Sequence, residues 1–287
     1  MNVAEIMEQR NAFSFEVFPP KTDVGMEKLC GEGGVLEKLY TLNPDYISCT
    51  YGAGGTNVGK NLEVLKKIKA DGKCTPVTHF TCVANTKEGI KDQLQTYLDN
   101  GIDHMLALRG DIPFGWTGTN GDLHYATELV KFVRKEFGDK FTIAVAGSPE
   151  GHIACEDLSL SVEYLKQKQD AGASFFVTQL FFDNECFYRF RELADKAGIT
   201  VPITAGIMPF MSKSQISRMV FMCGASLPSP VIKILAKYEN DPESLQAAGV
   251  DYATRQLCDL KEHGADGLHL YTMNRPAIAA TIMERLG

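Results

Sequence analysis

An α/β chain closing into a (β/α)8 TIM barrel, with extra helices before the eighth strand, is the fold the sequence predicts. Three observations carry that expectation. Eight short apolar runs alternate with helical stretches, the runs are too uniformly apolar to leave one sheet face in water, and a glycine closes the helix just before five of the strands. Strands of that kind suit a parallel sheet covered by helices. Eight such units in about 250 residues fit a closed barrel better than an open, doubly wound sheet.

A short amphipathic helix opens the chain. FSFEVF (13–18) follows as a strand, rich in aromatic and β-branched residues and ended by Pro19-Pro20. Next come a helical stretch containing LEKLYTL, the strand DYISCT (45–50), a glycine-rich loop, and a helix in NLEVLKKIKA with Leu62, Leu65 and Ile68 on one face. The alternation continues with TPVTHFTCV (75–83) and helix 86–100, HMLALR and helix 123–137, FTIAVA and helix 155–171, and SFFVTQL and helix 184–197. PITAGI with helix 212–223, and GLHLYT (267–272) with a final helix, complete the set. Residues 228–263 supply the additional helix before the eighth strand. The helix-closing glycines, Gly72, Gly101, Gly172, Gly198 and Gly264, stand where a left-handed residue ends a helix. No linker or composition break interrupts residues 1–287, which read as one domain.

Charge and cysteine usage narrow the function classes. A net charge of −7 without any Lys/Arg block argues against a nucleic-acid or anionic-membrane surface as the main partner. The start, MNVAEIMEQR, lacks a signal-peptide apolar region, and no apolar run approaches the roughly 18 residues needed to span a membrane, so a cytoplasmic protein is expected. The eight cysteines are scattered without a C-x-x-C pair and read as reduced thiols. His79 and Cys82, at i and i+3, have no partner cluster, and no metal site is expected.

The polar residues gather at the strand ends. In LALRGDIP (106–113) an apolar run stops at Arg109, Gly110 and Asp111, so the chain passes there from interior to cleft. Glu16, Thr50, His79, His152 in AGSPEGH, Gln179 in TQLFFD, Gln215 beyond the seventh strand, and Asn274-Arg275 after the eighth occupy comparable places. A barrel converges such residues on one cleft at the carboxyl ends of its strands, which points to a large polar ligand. Glu16, inside an apolar aromatic strand, is expected to have a raised pKa and to serve as a general acid; a core carboxylate paired with an arginine is the alternative. Gln179 suits the edge of an amide-like heterocycle, or else satisfies buried backbone. His79 alone is an ordinary core histidine, whereas His152 sits in a Gly/Pro loop suited to ligand contact.

Other chemistries fit less well. GGTNVGKN (54–61) approaches a phosphate loop, but Asn61 replaces the Ser/Thr that would hold Mg²⁺, which argues against a nucleotide triphosphatase. No G-x-G-x-x-G opens a helix after a strand, so any dinucleotide is bound without a Rossmann half, and NADH and NADPH remain equivalent. The barrel strands contain no lysine, which weakens a Schiff-base aldolase.

Taken in order, FSFEVFPPK, SCTYGAGG, THFTC, LALRGD, AGSPEGH, DAGASFFVTQLFFD, GIMP and LYTMNRP resemble the methylenetetrahydrofolate reductase family over essentially the whole chain. The resemblance implies a barrel that uses FAD to pass a hydride from NAD(P)H to 5,10-methylenetetrahydrofolate, giving 5-methyltetrahydrofolate in a ping-pong cycle. The length corresponds to the catalytic barrel alone, as in short bacterial-type members. By the same resemblance Glu16 protonates the folate and helps open its imidazolidine ring, and Asp111 lies near the flavin pyrimidine edge and the pterin. Gln179, Gln215 and Arg275 join these two in holding substrate. Thr50, His79, Arg109, Gly110, Asp111, Tyr125, Ala126, Ala146, His152 and Lys168 fall on flavin-binding positions. Arg109 suits the pyrophosphate, and the glycine beside it allows close backbone approach. The family pattern is broken at Ser148, where many relatives carry tyrosine, and at Ser161, where an acidic residue is common. The competing readings are an FAD-binding reductase subunit that receives electrons through a partner protein, and a cofactor-free barrel lyase. A homo-oligomer is compatible with the sequence.

Overall fold

The computed structural model describes residues 2–51, 58–155 and 157–287. Eight strands, β1 (Ala12–Val17), β2 (Tyr46–Cys49), β3 (Thr75–Thr81), β4 (His104–Leu108), β5 (Thr142–Gly147), β6 (Phe175–Thr178), β7 (Ile203–Ile207) and β8 (Gly267–Tyr271), form a closed barrel in sequence order. Every neighbouring pair is parallel, and β1 closes on β8 with Ser14 opposite His269 and Glu16 opposite Tyr271.

Both faces of the strands are buried, as the apolar runs require. Phe15, Ile47, Phe80, Val145, Phe176, Ile207 and Leu270 pack outward in the main core beneath the helices. Ala12, Tyr46, Val77, Leu106, Ala144 and Phe175 form a separate inner cluster with Val3 and Met7 of α1 (Val3–Gln9). The N-terminal amphipathic helix thus plugs the bottom of the barrel, held by a reciprocal Asn2–Glu5 capping box.

The helices between strands are α2 (Asp23–Cys30), α3 (Val35–Tyr40), α4 (Val58–Asp71), α5 (Lys87–Asp99), α6 (Ala126–Phe137), α7 (Leu158–Asp170), α8 (Asn184–Lys196) and α9 (Lys213–Cys223). Gly72, Gly101, Gly172, Gly198 and Gly264 all have positive φ, between 62° and 112°, as the helix-stop reading expects. Two helices begin later than their periodicity suggests. α7 starts at Leu158 rather than 155 because the Asp157 carboxylate caps the amides of Ser159 and Leu160. α6 starts at Ala126 rather than 123, after a loop in which Thr119 and His124 Nδ1 lie 3.2 Å apart.

The additional helices before β8 are α10 (Ser229–Lys237) and α11 (Pro242–Glu262), followed after the strand by α12 (Pro276–Leu286). Val231, Leu235 and Leu245 cluster with Leu180, Phe182, Met208 and Phe210, so these helices brace the segments leaving β6 and β7. The phosphate-loop look-alike lies partly outside the described residues. Its Asn61 lies in α4, fully buried, where its amide donates to the Cys49 and Thr50 carbonyls at 2.9 and 3.1 Å. Asn61 is therefore a tie between α4 and the end of β2. All eight cysteines are free thiols. Among the described residues no helix is long and apolar enough to cross a membrane, and no group of three His, Cys, Asp or Glu side chains has metal-binding geometry.

Candidate active site

Strand alternation sends Ser14 and Glu16 of β1 into the barrel, while Phe15 and Val17 join the outer core. Glu16 Oε2 lies 3.2 Å from His79 Nε2 on β3 and 3.7 Å from His269 Nε2 on β8. The approach of His79 is off the line of a hydrogen bond, so its buried Nε2 keeps no protein partner among the described residues. The Glu16 side chain is 18% exposed, enough to reach the cleft.

The expected rise in the Glu16 pKa is not what this environment produces. Burial does push the carboxyl up, but the two imidazoles, with the charge of His79 foremost, outweigh it, bringing the value to about 2. The apolar strand was visible in the sequence; two imidazoles arriving from β3 and β8 were not. The alternative of an arginine partner is replaced by this pair of histidines.

A cationic shelf lies beyond the ends of β4 and β5. Lys168 reaches in from α7 and donates to the Ala146 carbonyl at 3.0 Å, and burial draws its ammonium down to about 8. His152 is lowered by burial and then by the charges of Arg109 and Lys168, which lie near enough to act on it. The His152 amide is also held by Ser161 Oγ at 3.3 Å, which gives the unusual serine a local role. Ser148 contributes its carbonyl to the same loop, accepting from the Gly151 amide at 3.0 Å.

Gly110 sits where no side chain fits. Its φ is +89°, and a Cβ there would stand 2.6 Å from Val83 Cγ1 and 3.0 Å from Thr81 Cβ. Thr81 Oγ1 and Ser48 Oγ are buried without a hydrogen-bond partner among the described residues. Asp111 is exposed, and its charge adds to burial in pushing the Cys223 thiol at the end of α9 up to about 11. Thr50 directly follows β2, and Tyr125 and Ala126 open α6.

The remaining residues divide by what already occupies them. Gln179 accepts from the Leu180 amide at 2.9 Å through Oε1, and its Nε2 donors have no protein partner among the described residues. Gln215 is engaged in the turn after β7, where Oε1 accepts the Met211 amide at 2.8 Å and Nε2 lies 3.4 Å from the Pro209 carbonyl. Arg275, exposed at the start of α12, points one guanidinium nitrogen at Gln246 Oε1, 3.4 Å away. The structure thus joins Glu16 with His79, and Arg109 with His152 and Lys168; it leaves Gln215 and Arg275 tied locally.

His269, Ser14, Tyr46 and Tyr271 are the residues sequence reasoning missed. The period-two pattern held the signal, since Gly267, His269 and Tyr271 share the inward phase of β8 just as Ser14 shares that of Glu16. Tyr271 donates its hydroxyl to the Thr178 carbonyl at 2.7 Å, across a space kept open by the absent side chain of Gly206.

Comparison with known proteins agrees with the chemistry of this cleft. The family model described as methylenetetrahydrofolate reductase matches residues 2–287. Methylenetetrahydrofolate reductase (NADH) 1 of Arabidopsis thaliana is 35% identical over 298 residues, covering 99% of this chain and 50% of the relative. The 5,10-methylenetetrahydrofolate reductases of Pectobacterium carotovorum and Escherichia coli are 34% and 33% identical, each over 100% of this chain, and 93% and 94% of their own lengths are covered. The chain therefore spans half the length of the plant relative and nearly all of the bacterial ones.

Two solved structures share the fold at low identity. An uncharacterized protein from Clostridium thermocellum, described as binding two copies of 5-methyl-5,6,7,8-tetrahydrofolic acid, superposes with a TM-score of 0.66 at 16% identity, covering 98% of this chain and 96% of that one. A dihydropteroate synthase from Xanthomonas albilineans gives 0.53 at 13%, covering 96% and 91%. With a family match over residues 2–287 and bacterial relatives aligned along all of its length, the chain belongs to the methylenetetrahydrofolate reductase family.

Proposed function

We propose that this chain is a cytoplasmic enzyme that reduces 5,10-methylenetetrahydrofolate to 5-methyltetrahydrofolate with electrons from NAD(P)H. The observation that carries this reading is Glu16, a partly open carboxyl between two imidazoles at the barrel mouth, together with Arg109 and Lys168, whose charges act on His152. FAD, when bound, would relay reducing equivalents between the two substrates in turn.

The residues present fit that group. Arg109 and Lys168 offer charge-assisted donors to a pyrophosphate with the His152 ring beside them, and at Gly110 the backbone packs so tightly on Val83 and Thr81 that no side chain fits. The unpartnered buried atoms of Thr81 and His79 are available to the polar edge of a heterocycle. Thr50, Tyr125, Ala126 and Ala146 complete the lining, and Asp111 supplies a negative charge at its open side. Glu16, together with the His79 ring 3.2 Å away, passes a proton to a folate ring nitrogen, which favours opening of the methylene-bearing ring. The free amide donors of Gln179 meet the pterin carbonyl edge. Arg275 attracts the carboxylates of the substrate tail, while Gln215 acts by holding the turn beside it.

The first test is the absorption spectrum and steady-state turnover of the purified chain. A flavin spectrum with NAD(P)H-dependent folate reduction supports the reading, and a colourless protein contradicts it. Phe114, fully exposed three residues beyond Asp111, favours a second reading in which a partner protein delivers the electrons. Turnover of the isolated chain with NADH counts against that alternative.

A further inference from the structure

Tyr271 ends β8 on its inward side, opposite Glu16 in the register with β1 and edge-on to His269 (centroids 5.1 Å, planes 90° apart). From there its hydroxyl passes over the neighbouring strand β7 and donates to the Thr178 carbonyl at the end of β6, 2.7 Å away. Gly206 of β7 makes the crossing possible. A Cβ at that position would stand 2.8 Å from the Tyr271 hydroxyl oxygen and closer still to the Thr178 carbonyl oxygen.

The strand ladder leaves Thr178 in need of this bond. β5 pairs with β6 as far as Gly147–Thr178, whereas β6 pairs with β7 at Phe176–Ile203 and Val177–Thr204 and, among the described residues, no further. Thr178 is nevertheless buried, and a buried backbone carbonyl requires a donor. Past Val177 the side chains take the place of the ladder: the Gly206 amide donates to Thr178 Oγ1 at 2.9 Å, and the Tyr271 hydroxyl donates to the carbonyl. Burial keeps the Tyr271 phenol protonated well above its ordinary range, so the donor is constant.

Gln179 follows directly in the chain. Its backbone amide donates to the Gly147 carbonyl at 2.7 Å, and its side-chain Oε1 accepts from the Leu180 amide at 2.9 Å. A carboxamide pinned to its own backbone moves when that backbone moves. The direction of its Nε2 donors is therefore set by whatever holds residues 178–180. Gly147 on β5 holds one edge of that segment, and Tyr271 with Gly206 holds the other.

We propose that Tyr271 is the positioning residue for Gln179, fixing its carboxamide at a set span from Glu16 across the part of the cleft that takes the pterin. The assignment deepens the folate-reductase reading above and rests on it. A pterin is a rigid bicycle, so the spacing between its carbonyl edge and the ring nitrogen that takes a proton is invariant. The acid and the amide must stand at a matching distance. One phenol that ties β8, at the level of Glu16, to β6, at the level of Gln179, supplies that constraint without touching the substrate.

A double-mutant cycle in flavin-loaded protein tests the assignment, read as the second-order rate constant for folate reduction. Tyr271→Phe removes one hydroxyl and should lower that constant about 3- to 10-fold, the range of one lost hydrogen bond. Gln179→Ala should lower it by about tenfold or more. Added to Gln179→Ala, Tyr271→Phe should cost less than about twofold further, because it acts through the amide already removed. Flavin affinity should stay within about twofold in each variant. Should Tyr271→Phe fail to fold, Thr178→Val, which breaks the bond from Gly206 to the same residue, enters the cycle in its place with the same expected pattern. Effects that multiply in the double variant, an unchanged rate constant in Tyr271→Phe, or a fall in flavin affinity that matches the folate effect overturns the proposal, the last by showing a general loosening of the barrel mouth. An unchanged rate constant in Gln179→Ala instead removes the substrate role of the amide, and with it the reading on which the proposal rests.

Discussion

The Tyr97 hydroxyl on α5 donates to Asn61 Oδ1 on α4 at 2.7 Å, in a buried contact that Thr78 Oγ1 joins at 3.2 Å. Together with the two carbonyls that Asn61 holds at the end of β2, this makes one amide the junction of two helices and two strands. Asn61→Ala should therefore destabilise the fold by about 2 kcal/mol or more, since it leaves several buried groups unpaired. Urea unfolding of the variant measures this, and a change below about 0.5 kcal/mol would show that the junction is dispensable.

Gly110→Ala tests the close approach at the end of β4. The added methyl meets Val83 and Thr81 in a backbone conformation that favours glycine. A loss of about 1–3 kcal/mol in stability is expected. Flavin titration should show weaker binding as well, because relief of the clash moves the backbone that approaches the ring. Unaltered flavin affinity would separate this glycine from the cofactor site.

Lys168 supplies a prediction with a pH sign. Its folded value, about 8, lies below the ordinary 10.5, so burial of the ammonium costs stability in full below about 8, and the cost fades as pH rises toward 10.5. Lys168→Met should be more stable than wild type at pH 7 by an amount of the order of 1 kcal/mol, with the gain shrinking by pH 10. The same variant should bind flavin more weakly, having lost a donor to the phosphates. Paired urea titrations at the two pH values check the sign; a gain that grows with pH would refute it.

Much of the architecture was legible because it depends on local rules. Uniformly apolar strands, glycine helix stops and the abrupt end of LALRGD each follow from nearest neighbours in sequence, and the barrel places them as expected. Asp157 and Asn61 were less legible, since a cap and a buried tie are chosen by geometry rather than periodicity. The charge state of Glu16 was misread for a stronger reason. Burial was visible in its own strand, but the two histidines that reverse its effect come from residues 63 and 253 positions further along. His269 lies in an apolar strand, and only the register of β8 against β1 brings it to Ser14 and Glu16. Gln215 shows the opposite error, a polar residue near a strand end whose side chain serves the turn instead of facing open space.

The central claim is that Glu16 acts on folate and not in flavin reduction. Stopped-flow measurement of the two half-reactions in flavin-loaded Glu16→Gln tests it most directly. Reduction of the bound flavin by NAD(P)H should stay within about threefold of wild type, while folate reduction should fall by at least about 10²-fold, the range of a lost general acid. Equal loss in both half-reactions, or folate reduction at the wild-type rate, would contradict the account.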